Sequence, residues 1–262
     1  MGCQVRTPSI GAEGLRHSET TRWGYSREND GMKHKKPAFE TDQDLTAIMT
    51  RHGKCTYLLL SLLGLILLFP YTNGEFSGRI VLSILFALVL IGGAFAIGRN
   101  PKMVVIGFGL AILSVGLQWT ALLTNIAALF RLAGLAYIVF LVLTIGEVLK
   151  YLLRKGPVTA DKLHGALAGY IMLALLWAFI YTITESFTPG SFNLPHVDTA
   201  DPHAFYHLLY FSLTTLTTVG YGDITPVTDQ AMSFVMTEQF SGVFFVGVLI
   251  ARLAGMYPTD KK

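Results

Sequence analysis

"LTTLTTVGYGDITP", Leu213 to Pro226, lies between two long apolar runs and reads as neither helix nor strand. It is threonine-rich, with glycines at alternate positions, Gly220 and Gly222, and Asp223 directly after them. In a strand successive carbonyls alternate sides, and in a helix they run along the axis. To aim consecutive carbonyls at one line, residues must alternate between right- and left-handed conformations. Glycine takes the left-handed one without the side-chain penalty. The carbonyls of Thr218, Val219, Gly220 and Tyr221, with the Thr218 hydroxyl, can then form stacked oxygen sites. Irregular backbone of this kind is tolerated at membrane depth only where it is buried in protein or lines a water-filled path.

The rest of the chain supplies that depth. Its 262 residues are 52% hydrophobic and only 14% charged, the balance of an integral membrane protein. A net charge of +3 argues against nucleic acid as a partner. Cys3 and Cys55 define neither a disulfide framework nor a metal site. Residues 1–54 are polar and short of apolar periodicity. Within them "TDQDLTAIMTRHG" carries a capping-box-like Thr41 and Asp44, a stripe of Leu45, Ile48, Met49 and His52, and a stop at Gly53, predicting a short interfacial helix. Six spans come after it, at 55–72, 80–98, 103–123, 126–148, 164–184 and 229–254, most near the ~20 residues a bilayer core requires.

Lys/Arg placement orients these spans. Arg99 and Lys102 follow the second span, Lys150, Arg154, Lys155 and Lys162 the fourth, and Arg252, Lys261 and Lys262 the sixth, whereas residues 184–228 hold no Lys or Arg. Both termini are therefore expected in the cytoplasm, and the 185–228 segment outside, its mouth made acidic by Glu185, Asp198, Asp201 and Asp223. Asp201-Pro202 is a good helix start. The run after it is too short to span before the glycines interrupt, so it predicts a re-entrant helix whose negative dipole end faces the glycines.

At Thr218-Val219-Gly220-Tyr221-Gly222-Asp223 the chain resembles the selectivity filter of the tetrameric potassium channels. The resemblance covers residues 164–256, the pore module. It implies an all-α membrane fold of six transmembrane helices plus a re-entrant pore helix. Residues 55–150 would form a four-helix, sensor-like domain, 163–256 the pore domain and 257–262 a short tail. It also implies that Thr218, Val219, Gly220 and Tyr221 bind K+ with Gly222 completing the filter, that four copies assemble, and that no cofactor beyond the permeant ion is needed. "VVIGFGLAI", residues 104–112, lacks the threonines and the aspartate, and reads as helix packing through small residues.

Residues around the filter keep two readings each. Tyr210, Thr217 and Asp223 are the expected filter supports; the Tyr210 hydroxyl either reaches Asp223 or simply packs. Thr214 stands where some family members keep a carboxylate. Glu238, ~14 Å along the sixth span at 1.5 Å per residue, is either a gating acid or a hydrogen-bonded structural residue behind the re-entrant helix, near its threonines. Gly242 stands where the family has an inner-helix hinge, with a packing glycine as the alternative. Val246, Ile250 and Ala254 would line the inner cavity. His203 and His207 lack an evident third zinc ligand, and His196 reads as an exposed bystander.

The expected function is passive K+ conduction in a cell membrane, with no enzymatic constellation. A weakly selective cation channel, a non-conducting regulatory subunit and a transporter are the alternatives, the last lacking paired broken spans. About eight residues follow the sixth span, so no ligand-binding domain is expected there. The fourth span, "IAALFRLAGLAYIVFLVL", has Arg131 as its only charge, and no Asp or Glu occurs between Glu75 and Glu147. Arg131 is expected to be an interfacial anchor rather than a moving sensor.

Overall fold

All six apolar runs are helical. The computed structural model describes residues 53–71, 76–96, 101–124, 126–154, 159–194 and 202–254. The expected interfacial helix, and His196, Asp198 and Asp201, lie outside these residues. The helices are α1 (Lys54–Leu68), α2 (Phe76–Ala96), α3 (Pro101–Thr124), α4 (Ala127–Leu152), α5 (Ala160–Phe187), the short α6 (Pro202–Leu216) and α7 (Asp229–Ala254). Four of them, α3, α4, α5 and α7, are long and apolar enough to cross a membrane.

Boundaries move where polar residues or proline decide them. α1 ends earlier than the hydropathy does, because Pro70 cannot donate into a helix; Phe69–Tyr71 continues as a 3-10 turn. α5 begins ahead of its apolar run because the Thr159 side chain accepts the Lys162 amide. α3 runs unbroken through residues 104–112, as expected of a helix rather than a filter. Gly109, however, has open space where its side chain would be, so close packing explains the buried Gly107 there and not Gly109.

α5 is the central helix, packing on α1, α4, α6 and α7. α1 buries Leu58, Leu62 and Leu65 completely, a stripe at helical spacing that Phe69 continues in the turn after it. It comes close to its neighbours at glycines: a methyl on Gly92 would stand 3.3 Å from the Leu58 Cα, and one on Gly165 3.0 Å from the Cys55 sulfur. An aromatic cluster joins α4, α5, α2 and the start of α6. Tyr137 stacks on Phe179 at 4.8 Å, and Phe205 meets Phe179 at 4.8 Å and Phe86 at 5.6 Å.

Apart from the Lys150–Glu147 pair on α4, several charged side chains cap helix ends. Arg131, near the start of α4, donates to the Ser186 carbonyl at the end of α5 (2.7 Å) and lies 4.5 Å above the Phe187 ring. At the other end of α4, Arg252 of α7 donates to the Leu153 carbonyl (2.8 Å) and Lys162 to the Arg154 carbonyl (3.2 Å). Each cation sits where a helix dipole is negative. The Asp161 carboxylate does the converse, accepting the Cys55 amide at the start of α1 and the Tyr151 hydroxyl.

One element was not foreseen. Phe192–Asn193 (β1) pairs antiparallel with Thr225–Pro226 (β2), Phe192 opposite Pro226. The chain before α6 is thereby stitched to the chain after the glycine-rich run. The Ser191 carbonyl adds a bond from the Val227 amide at 2.7 Å. Glu185 belongs to this stitch and not to an acidic mouth. It is 4% exposed, and its two oxygens accept the amides of Gly190 (2.7 Å) and Phe192 (3.0 Å). A carboxylate ringed by backbone donors is held inward because buried amides need an acceptor. Replacing Glu185 with Ala would strand both amides, and is expected to lower stability by about 1–3 kcal/mol. Thermal unfolding of the detergent-solubilised protein measures this; an unchanged midpoint would remove Glu185 from the stitch.

Candidate functional site

α6 ends at Leu216, and the way it ends shapes the glycine-rich run beyond it. The Val219 amide returns to the Thr214 carbonyl (2.9 Å) and the Thr218 amide to the Thr215 carbonyl (3.0 Å). This is the Schellman pattern, which places a left-handed residue just past the helix. That residue is Thr218, with φ +61°, the only non-glycine among the described residues in that region. The Gly220 amide also reaches the Thr214 carbonyl, at 3.1 Å. Gly220 (φ +53°) and Gly222 (φ +79°) repeat the left-handed state, while Val219 and Tyr221 do not. Left-handed residues thus alternate at 218, 220 and 222. The amides of Val219 and Gly220 are turned back to α6, and alternation of this kind is the backbone pattern that can aim successive carbonyls to one side.

The sequence pointed to Gly220 and Gly222 as the left-handed positions but not to Thr218. The missed signal is the C-terminal cap of α6, since a helix ending this way needs a left-handed residue whatever its side chain. Residues 217–223 are all exposed in the single chain. The Thr217 hydroxyl is taken up by the Leu213 carbonyl (2.6 Å). Tyr210 stacks on Tyr221, rings 4° from parallel at 6.4 Å, and its hydroxyl interacts with the Asp223 carboxylate. Asp223 also accepts the Ile224 amide at 3.1 Å.

Behind α6, two levels of contact bind it to α5 and α7. On one level, Glu238 of α7 is fully buried and is hydrogen-bonded by Tyr181 of α5 and Ser212 of α6. The Ser212 hydroxyl also lies 3.0 Å from the Ala174 carbonyl. The partners of Glu238 are therefore a serine and a tyrosine, not the α6 threonines expected from the sequence. One turn further along, the Tyr170 hydroxyl donates to the Leu216 carbonyl (2.6 Å), and Gly242 lies against Leu216. Trp177 donates to Ser241 (3.0 Å), whose hydroxyl in turn donates to the Glu238 carbonyl (2.7 Å).

Further along α7, Val246 and Ile250 are exposed, at 38% and 61%. Ala254 lies in α7, its side chain outside the described set, as is that of His203. Among the described residues no group of three His, Cys, Asp or Glu could hold a metal ion.

Residues 169–257 match a family model described as "Ion channel". This stretch, most of α5 through α7 with the filter-like run between them, is the part of the chain that resembles an ion-channel pore domain. The chain is 29% identical over 99 residues to the two-pore potassium channel 5 of Arabidopsis thaliana, covering 38% of this chain and 24% of that one. It is 45% identical over 49 residues to the hyperpolarization-activated voltage-gated potassium channel of Methanocaldococcus jannaschii (19% and 22%). With the two pore potassium channel c of Oryza sativa, identity is 41% over 64 residues (24% and 13%). The chain thus spans a quarter or less of the length of these relatives. No solved structure matches it significantly.

Gly242 is the position where the geometry makes a direct demand. A methyl there would stand 2.7 Å from the Leu216 Cδ2 and 3.2 Å from its carbonyl oxygen. Gly242→Ala is expected to push on the last turn of α6 and cost about 1–3 kcal/mol of stability. Thermal unfolding reads that cost. Full stability with an altered open probability would instead mark Gly242 as a hinge.

Proposed function

We propose that the chain is a subunit of a potassium-selective channel, in which four copies meet around one axis and ions pass down their gradient. The observation that carries this reading is the left-handed alternation at Thr218, Gly220 and Gly222, with the filter amides tied back to Thr214. Carbonyls of Thr218, Val219, Gly220 and Tyr221 from four chains replace the hydration shell of K+. Tyr210, Thr217 and Asp223 support that run, and Val246 and Ile250 face the path below it.

Assembly accounts for the apolar surface of a single chain. Phe240, Val243 and Phe244 of α7 are 79%, 62% and 71% exposed. They line one side of a helix whose opposite side holds the buried Glu238. Copies packed around an axis cover that surface together with the exposed filter. In this arrangement the shorter apolar helices α1 and α2 cross the bilayer beside the four long ones, with both termini in the cytoplasm and Asp223 at the outer mouth.

The channel is weakly voltage-dependent. One elementary charge crossing the whole field is worth about 2.3 kcal/mol per 100 mV, and steep gating uses three to four charges per subunit. The apolar run of α4 offers Arg131 alone, and that side chain is occupied at the end of α5; the other α4 charges, Glu147 and Lys150, pair with each other near its far end. Conductance–voltage curves from proteoliposomes are expected to be shallow, with Arg131→Gln changing stability more than slope. A steep curve flattened by Arg131→Gln would overturn the anchor reading.

Selectivity is tested directly by reversal potentials in mixed K+ and Na+. The purified chain should favour K+, and Gly220→Ala should abolish conduction or selectivity while leaving assembly intact. No neighbouring atom in the chain opposes a methyl at Gly220, so the penalty is the left-handed backbone itself, roughly 1–2 kcal/mol per chain. Normal K+ permeation in that variant would sink the carbonyl-ring reading.

A further inference from the structure

The buried carboxyl of Glu238 is the feature the conduction path does not itself require. It sits 0% exposed within an apolar bundle, where an aliphatic side chain would fill the same space without the cost of burying a polar group. Its two partners come from two different helices, Tyr181 of α5 and Ser212 of α6. Ser212 is two residues from Thr214, whose carbonyl holds the Val219 and Gly220 amides. The connection from α7 to the filter therefore runs from Glu238 to Ser212, along the α6 backbone to Thr214, and from its carbonyl to Val219. Steric contact one turn along, Gly242 on Leu216, fixes the same pair of helices but carries no direction. A hydrogen bond does, so Glu238 sets the rotation of α6 about its own axis.

We propose that Glu238 is a positioning residue for ion selection: its carboxyl, held by Tyr181, anchors Ser212 and so orients the last turn of α6 that carries the filter. This rests on the channel reading above. The role is geometric rather than one of charge, because an amide meets the same needs. Ser212 has one hydroxyl hydrogen and two acceptors at hand, Glu238 and the Ala174 carbonyl. With glutamine at 238, the amide nitrogen donates to Ser212, Ser212 donates to Ala174, and the amide oxygen accepts from Tyr181. Leucine fills the volume and offers none of these bonds.

The test is the K+/Na+ permeability ratio of the full chain in proteoliposomes, with Glu238→Gln and Glu238→Leu compared with the parent. Glu238→Gln is expected to keep the parental ratio. Glu238→Leu is expected to lower it about tenfold, the size of one lost buried hydrogen-bond partner felt at the filter. Should Glu238→Leu fail to assemble, Ser212→Ala removes only the α6 side of the contact and is expected to lower the ratio in the same direction. A ratio unchanged in Glu238→Leu, even with reduced thermal stability, would reduce Glu238 to a packing residue and overturn the proposal, as would an unchanged ratio in Ser212→Ala. A parent chain that does not discriminate K+ from Na+ would remove the channel reading first, before any variant is compared.

Discussion

A helix end leaves carbonyls with no partner inside the helix, and α6 ends in that way at Leu216. The Thr214 carbonyl answers the constraint by taking two amides from beyond the helix end, those of Val219 and Gly220. Those amides are thereby turned back onto the helix end. One hydrogen-bonding solution thus ends the helix and bends Thr218 into the left-handed region ahead of the glycine-rich run. On its far side β1, β2 and the Glu185 carboxylate satisfy the neighbouring backbone in turn.

The rest of the pore region is arranged to hold that helix end still. α5 presents Tyr170, Ala174, Trp177 and Tyr181 along one face, and each meets α6 or α7 through a hydrogen bond or a shared acceptor. Where lipid is as apolar as leucine, helix association has little hydrophobic drive, and close packing and directed bonds choose the arrangement. That is why the polar side chains of α5 are spent on its neighbours and why Gly242 is small.

The four preceding helices are bound to this core at both ends of α4. Arg131 reaches the end of α5, and the end of α4 receives Arg252 and Lys162. In a stretch without acidic residues between Glu75 and Glu147, helix carbonyl ends serve as the counter-charges. An arginine that donates to a helix terminus is held there, which under the proposed channel reading makes α4 a brace rather than a lever.

The sequence by itself determined the helices and the alternation of the filter, because apolar run length and paired glycines are local signals that need no partner. Pro70, Thr159 and Pro202 likewise set helix ends from their own covalent chemistry or a bond within one turn. Only the tertiary structure decided what the polar residues inside the bundle do. Glu185 read as part of an acidic mouth until its oxygens were seen on the Gly190 and Phe192 amides, five and seven residues away. Glu238 could be assigned to Ser212 and Tyr181 only once helices 26 and 57 residues apart were brought together. Thr218 lies between the two cases: its left-handed backbone follows from how α6 ends, and that ending is closed by the Thr214 carbonyl, which accepts the Val219 and Gly220 amides.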